Sequence, residues 1–446
     1  MSITFENKKQ RSIAVLLILV IGFLLRFYAS SSVPLLNDEK DKISFTHEIS
    51  FAKDNIRLPM GSEKTENPPL LPYLMKISIL LFGENTLSAR LPNVILGALT
   101  LLVIYLLVKE NINVTTALLT MALMSFSQFC VSTTRHIEEN GIILFFASCT
   151  LLLIQRAVMG RNRRTLWGAA VFFGLALLAK ETAVVWLPVI IYYVFFDPEN
   201  KKVFGGRDLF IFISIIILIM APSILWNINN AYSDFDAYAQ KIDFLSPSLV
   251  PTALFLGEII SAGSFGLDDR MLRYITSEEF PFLNWLMGLL CITGVIYFMR
   301  IKKNRFELLL LWLFCFSFIF FSLVRPDTLG EFPPMVWPEK PYMQFHLDNF
   351  WWASLSAIPG MILAAAMLVR LCSQYKRIRL IIPLLLAYFI FNSIQFVTFP
   401  ANCFIPRDSI RVEALQRTAK EYTITGEHDK ASKVHSYAKK RYPEFY

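Results

Sequence analysis

Apolar runs of about 18 or more residues recur along this chain, each long enough to cross a hydrocarbon core of about 30 Å. The runs are continuous rather than alternating, so helices and not barrel strands are the spanning elements. Charged residues make up only 17% of the 446 residues, against roughly 25% in a soluble protein. The fold class expected is therefore an all-α polytopic membrane protein. About eleven spans are read, at 13–29, 91–108, 113–132, 141–158, 165–179, 182–196, 209–228, 282–299, 307–324, 350–369 and 380–398. The pair flanking Lys180-Glu181 is short.

A net charge of +8 would suit nucleic acid, but the basic residues cluster in short turns between spans. That is a topology signal, and no nucleic-acid partner is expected. With the N-terminus in the cytoplasm, one face receives Lys109, Arg161/Arg163/Arg164, Lys201/Lys202/Arg207, Arg300/Lys302/Lys303/Arg305 and Lys376/Arg377/Arg379. The opposite face receives the loop 30–90, the link 133–140, the loops 229–281 and 325–349, and the tail 399–446. The organisation expected is a membrane domain over 1–398 and an external tail over 399–446 with a small helix or two. The first span follows Lys8, Lys9 and Arg11 and reads as a retained signal anchor, because Ala29-Ser30-Ser31 is a poor cleavage site. Six cysteines without a CxxC give no disulfide framework.

Just past the first span stand two adjacent carboxylates, Asp38 and Glu39. Such a pair repels itself and loses solvation if buried. Phe45, Ile49, Ala52 and Ile56 follow at i, i+4, i+7 and i+11. That spacing predicts an interfacial helix through Ile56 with its apolar stripe toward lipid. Asn37 is a suitable N-cap, which puts both carboxylates in the first turn, near the positive end of the helix dipole. A second helix is expected to start at Pro68-Pro69 and run through Leu80. The residues alone weigh a hydrated, merely capping pair evenly against surface chemistry.

NDEKDKISFTHEIS…ENPPLLPYLMKISILLFGENTLSARLPNVILGALTLLVIYLL resembles the first external loop and second span of the GT-C membrane glycosyltransferases. It is most similar to their protein O-mannosyltransferase and lipid A aminoarabinose transferase type. The shared elements are Asp38-Glu39, Pro68-Pro69, Phe82-Gly83 and Ala89-Arg90-Leu91-Pro92. TTRHIEENGIILFF resembles the family's second external link, and LALLAKETAVVWLPV its lysine-containing helix break. The resemblance covers about 26–196. It implies a cell-envelope transferase, in an inner or plasma membrane, that takes a sugar from a polyprenyl-phosphate carrier on the non-cytoplasmic face. The acceptor class (protein, lipid or glycan) stays open. Two departures stand out. Glu66-Asn67-Pro68 replaces the family's Glu-Lys-Pro, and its second-link acid falls on Asn140, or on Glu138 or Glu139 if the link shifts.

Sugar transfer from a lipid phosphate needs a base for the acceptor proton and cationic or dipolar groups for the departing phosphate. Asp38 is the expected base, with Glu39 orienting the acceptor or a cation. Single displacement with inversion is favoured over a covalent intermediate, which needs a second well-placed carboxylate. Arg90, Arg135, His136 and Lys180 are candidates for the donor phosphate, with Arg270, Lys340, Tyr342 and His346 further along. Glu66, Glu138, Glu139 and Asn140 are candidates for the acceptor or second acid. Against these stand plainer readings: solvated loop charges at Glu138 and Glu139, a structural His136, a snorkelling Arg90, and Lys180 paired with Glu181. No cofactor is required. A divalent metal on Glu66 and a histidine stays open, without HxxE or HExxH spacing to support it. Asp234-Phe235-Asp236 lacks the surroundings of a nucleotide-sugar site and is set aside. The rival from another class is a transporter or flippase, whose charges gather at the midplane; here they gather at the outer surface.

Overall fold

A computed structural model describes residues 8–28, 30–31, 37–52, 55–60, 69–229, 242–243, 286–323, 325–326, 354–375, 379–398 and 428–441, and residues 416, 419, 420 and 423 singly. The helices run α1 Lys8–Phe27, α2 Asn37–Glu48, α3 Leu70–Phe82, α4 Thr86–Asn111, α5 Val114–Phe126, α6 Gln128–Arg135, α7 Glu139–Gly160 and α8 Arg163–Ala179. After Lys180 come a 3-10 segment Glu181–Trp186, α9 Leu187–Ile191 and a π turn Tyr192–Phe196. Then follow α10 Gly206–Asn229, α11 Leu286–Arg300, α12 Arg305–Leu323, α13 Ser354–Gln374, α14 Ile381–Thr398 and α15 His428–Arg441. The apolar stretches are largely helical where described, with Ser127 breaking the one at 113–132. By length and composition α1, α4, α7, α10 and α13 suffice to cross a membrane, and shorter apolar helices pack among them. Two short antiparallel ladders interrupt the all-α pattern: β1 Ser50–Ala52 with β2 Asn55–Arg57, and β3 Ile242–Asp243 with β4 Arg325–Pro326.

Helix boundaries follow from local chemistry. The Asn85 side chain accepts from the Ser88 N–H and starts α4, as Asn113 does for α5 and Asn162 for α8. Pro92 lies inside α4 and has no N–H for the Ser88 carbonyl. The Ser78 hydroxyl donates to that carbonyl at 2.6 Å, so α3 repairs the gap. At Ser127 the chain turns extended between α5 and α6, leaving carbonyls that no intrahelical N–H can reach. Arg26 of α1 donates to Met124 O at 3.2 Å and Ser125 O at 3.4 Å, and Ser393 of α14 donates to Phe126 O. A cation at a helix C-terminus also meets the negative end of the dipole.

The core runs along α4, α5, α7 and α13; the apolar side chains of α5 and α13 are nearly all buried, while α4 leaves Ile95 and Leu99 exposed. Gly294 of α11 lies against the backbone of α13, where an added Cβ would stand 2.8 Å from Ala364 N and 2.9 Å from its Cα. Backbone cannot give way as a side chain can. Gly294→Ala should therefore force the two helices apart and cost about 1–3 kcal/mol, read as a lowered midpoint of thermal unfolding in detergent. At the basic end of the bundle, Arg156 grips Glu110 in two bonds, Arg163 reaches Asp208, Arg305 reaches Asp197 and Arg370 pairs with Glu307.

One expectation is corrected here. The stripe Phe45–Ile49–Ala52–Ile56 is not one lipid-facing helix. α2 stops at Glu48 and the chain enters the β1–β2 hairpin. Phe45 and Ile49 are buried inside the protein, with α2 packed on α3 and the Thr46 hydroxyl 3.9 Å from Met75 Sδ. Helical spacing identifies an apolar face without saying what covers it, and Ser50 and Asn55 favour a turn.

Candidate functional site

The second link, His136 to Asn140, is gripped from several sides. Glu39 and Lys42 lie three residues apart and so share one face of α2. Glu39 Oε1 accepts from the Ile137 N–H at 2.8 Å, and Lys42 Nζ donates to the Ile137 carbonyl at 3.1 Å. Both backbone polar groups of Ile137 are thus held by α2. From α4, Asn93 Nδ2 donates to the carbonyls of His136 and Glu138, each at 2.7 Å. Behind the link, Lys180 Nζ donates to Asn140 Oδ1 at 3.3 Å. Gly141 has no room for a Cβ, which would meet the Thr133 carbonyl, and Gly97 of α4 is likewise closed by Thr134.

Charge is concentrated and almost dry. Glu39 is 0% exposed and takes a two-point grip from Arg90, Nε to Oε1 at 2.9 Å and Nη2 to Oε2 at 2.6 Å. Fork-to-fork pairing of this kind gives both strength and orientation. Arg90 Nη1 donates onward to the Ser30 carbonyl at 2.6 Å, tying α4 to the end of the first span. His136 Nδ1 stands 3.7 Å from Glu39 Oε1. Lys42 Nζ lies 3.0 Å from Glu139 Oε2 and 3.6 Å from Glu138 Oε2. Burial alone would raise the Glu39 carboxyl, but His136 and Arg90 outweigh it and hold it well below the usual carboxylate range. Burial pushes the His136 imidazole down against the pull of Glu39. It also lowers the Lys180 ammonium, opposed by Glu139 and Glu138.

Arg135 differs from its neighbours. It is 4% exposed, it has no carboxylate partner among the described residues, and its Nε finds no hydrogen-bond acceptor. Burial, joined by Arg90 and opposed by Tyr28, brings it down to about 10. A buried guanidinium beside a second one is costly until an anion joins it.

The structure brings Glu39, Arg90, Arg135, His136, Glu138, Glu139, Asn140 and Lys180 into one region. Asp38 lies in the first turn of α2, and its side chain is outside the described residues. So are Glu66, Arg270, Lys340, Tyr342, His346, Asp234 and Asp236. Two plain readings are corrected. Glu138 and Glu139 are buried and paired with Lys42 rather than solvated. Arg90 turns inward to Glu39 rather than to headgroups. Lys180 reaches Asn140 and also lies in the field of Glu181. Sequence reasoning passed over Lys42, Asn93 and Arg26. The first two stand three residues beyond Glu39 and Arg90, which is the signal that could have found them.

By fold the chain stands with the GT-C membrane glycosyltransferases. Residues 66–226 match the family described as dolichyl-phosphate-mannose-protein mannosyltransferase. The putative mannosyltransferase YkcB of Bacillus subtilis is 23% identical over half of this chain and 31% of its own length. An uncharacterised protein of Aquifex aeolicus is 21% identical over 65% of this chain and 54% of its own. The chain thus spans about a third to a half of the length of these curated relatives. Among solved structures, ArnT from Cupriavidus metallidurans bound to undecaprenyl phosphate superposes on 95% of this chain and 74% of its own, with a TM-score of 0.61 at 16% identity. The oligosaccharyltransferase AglB from Archaeoglobus fulgidus, in complex with an inhibitory peptide and a dolichol-phosphate, covers 94% of this chain and 58% of its own, with a TM-score of 0.56 at 15% identity.

Proposed function

We propose that this protein transfers a sugar from a polyprenyl-phosphate carrier to an acceptor hydroxyl or amine on the non-cytoplasmic face of its membrane. The observation that carries the proposal is Arg135, a buried guanidinium with no carboxylate partner among the described residues, set beside a helix that bears two adjacent carboxylates. A lipid phosphate supplies the missing charge. The bound lipid phosphates of ArnT and AglB and the mannosyltransferase names of the relatives support the same class of donor. In this scheme Asp38 takes the acceptor proton as the acceptor's lone pair attacks the anomeric carbon. The bond to phosphate breaks with its electron pair going to phosphate oxygen, and the sugar inverts. Arg135 holds the growing phosphate charge, with Lys180, Arg270, Lys340, Tyr342 and His346 as further candidates. Glu39 and Arg90 position α2, and Glu66, Glu138, Glu139 and Asn140 are the candidates for the acceptor side or the second acid.

The test uses the full chain in lipid nanodiscs, a radiolabelled polyprenyl-phosphate sugar and a membrane extract as acceptor source. Asp38→Asn is expected to lose label transfer. Arg135→Gln is expected to raise KM for the donor about tenfold or more, the worth of one hydrogen bond to a charged group. Undiminished transfer in Asp38→Asn removes the base. Unchanged donor dependence in Arg135→Gln removes the phosphate assignment. Epitope tags in 30–90 that react only from the cytosol overturn the face.

A further inference from the structure

Among the described residues, the β1–β2 hairpin between α2 and α3 joins no larger sheet. Two strands this short are not stable alone in water. The register pairs Phe51 with Ile56, Ser50 with Arg57 and Ala52 with Asn55. Alternation along a strand therefore puts Phe51 and Ile56 together on one face and Ala52 on the other. Phe51, Ile56 and the following Leu58 are all exposed, Ile56 at 63%. An exposed apolar face on a bare two-stranded edge is a liability in water, which soluble proteins blunt with charge.

Two hydrogen bonds set the depth of this hairpin in the bundle. The Tyr73 hydroxyl of α3 donates to the Pro59 carbonyl at 3.0 Å, and the Ser223 hydroxyl of α10 donates to the Met60 carbonyl at 3.3 Å. Ser223 stands six residues short of Asn229, the last residue of α10. At a rise of about 1.5 Å per residue, that is about 9 Å inside the helix end. Around Ser223 the outer surface of α10 is apolar and exposed at Ile224, Leu225 and Ile228, as is that of α3 at Leu80, Leu81 and Phe82. α10 is long and apolar enough over Gly206–Trp226 to cross a membrane, and in such a span this surface would face lipid.

We propose that the hairpin 50–57 is a membrane wedge. Phe51, Ile56 and Leu58 lie among phospholipid acyl chains at the bilayer boundary, continuous with the lipid-covered sides of α10 and α3. The wedge fixes the height of α2, and with it Asp38, Glu39 and Lys42, relative to a carrier that reaches the site from within the bilayer. Amphipathic surface elements buried by about 5–10 Å behave in this way. A polypeptide acceptor docked on the hairpin is the competing occupant.

The wedge is tested on the full chain in phospholipid nanodiscs, with benzoylphenylalanine placed singly at Ile56, at Ala52 on the opposite face, and at Leu225 as a lipid-facing reference. After irradiation, intact-mass spectrometry counts phospholipid adducts. Ile56 should approach Leu225 in lipid adducts and exceed Ala52 several-fold. Equal yields at Ile56 and Ala52, or lipid adducts at Leu225 with none at Ile56, overturn the proposal. So does added acceptor extract that diverts the Ile56 crosslink from lipid to polypeptide. No transfer is measured, so this outcome stands apart from that of the proposed reaction.

Discussion

Glu39→Ala is expected to destabilise the protein by about 3–5 kcal/mol, because it leaves one member of a buried ion pair without the other. The change strands the Arg90 guanidinium at 0% exposure and removes the acceptor of the Ile137 N–H. Both effects fall on the loop after the first span and on the second link, so protease cleavage within 30–90 should appear before the bundle melts. Glu39→Gln keeps an oxygen for Ile137 and should cost less. The paired change Glu39→Leu with Arg90→Met should recover much of the loss, since an apolar pair of similar volume avoids the stranded charge. If Glu39→Ala alone melts with the wild type, the clamp is not a stability element. The sign with pH follows from the same pair. The folded carboxyl is held below its ordinary value of 4.5, so its stabilisation is complete above that value. It is lost only as pH falls through the lower folded value. The wild-type loop should therefore resist proteolysis through the ordinary carboxylate range, while Glu39→Gln shows no such acid-dependent component.

The helices were largely legible in the sequence because a continuous apolar run in a bilayer leaves its backbone no other way to be satisfied. A boundary that depends on a neighbouring side chain is local as well, and Asn85 before α4 carries that signal, although the span read there began only at 91. Boundaries that depend on a distant partner were not legible. The break at Ser127 is sustained by Arg26 and Ser393, which reach its carbonyls from other helices. The misread stripe after Asp38 has the same origin: Phe45 and Ile49 are apolar at helical spacing whether lipid or α3 covers them. The site divides likewise. A Glu39–Lys42 pair at i, i+3 reads as an ordinary exposed ion pair on a helix. Its partners on the second link lie 98 and 95 residues away, at Ile137. Arg135, by contrast, was visible as a candidate, and what the structure adds is its burial without a carboxylate partner among the described residues.

Lys42→Met is expected to be the second severe change, and it separates charge from packing. Methionine keeps most of the aliphatic stem that a buried lysine packs with, while the ammonium that meets Glu139 at 3.0 Å and Glu138 at 3.6 Å disappears. The Ile137 carbonyl loses its donor as well. Lys180 lies in the field of the same two carboxylates but bonds Asn140, so it offsets only part of the excess negative charge. A loss of about 3 kcal/mol is expected for stranding buried charge, with transfer falling because Arg135 and the link move together. Lys42→Arg retains the charge and should rescue most of the stability. Combining Lys42→Met with Glu139→Gln should cost less than the sum of the single changes, with a coupling of about 0.5–3 kcal/mol for residues in direct contact. Strict additivity in that cycle would show that Lys42 and Glu139 do not act on each other. The hold of α2 on the second link would then rest on Glu39 at the Ile137 N–H and Lys42 at the Ile137 carbonyl, beside Asn93 and Lys180, and not on an ion pair with Glu139.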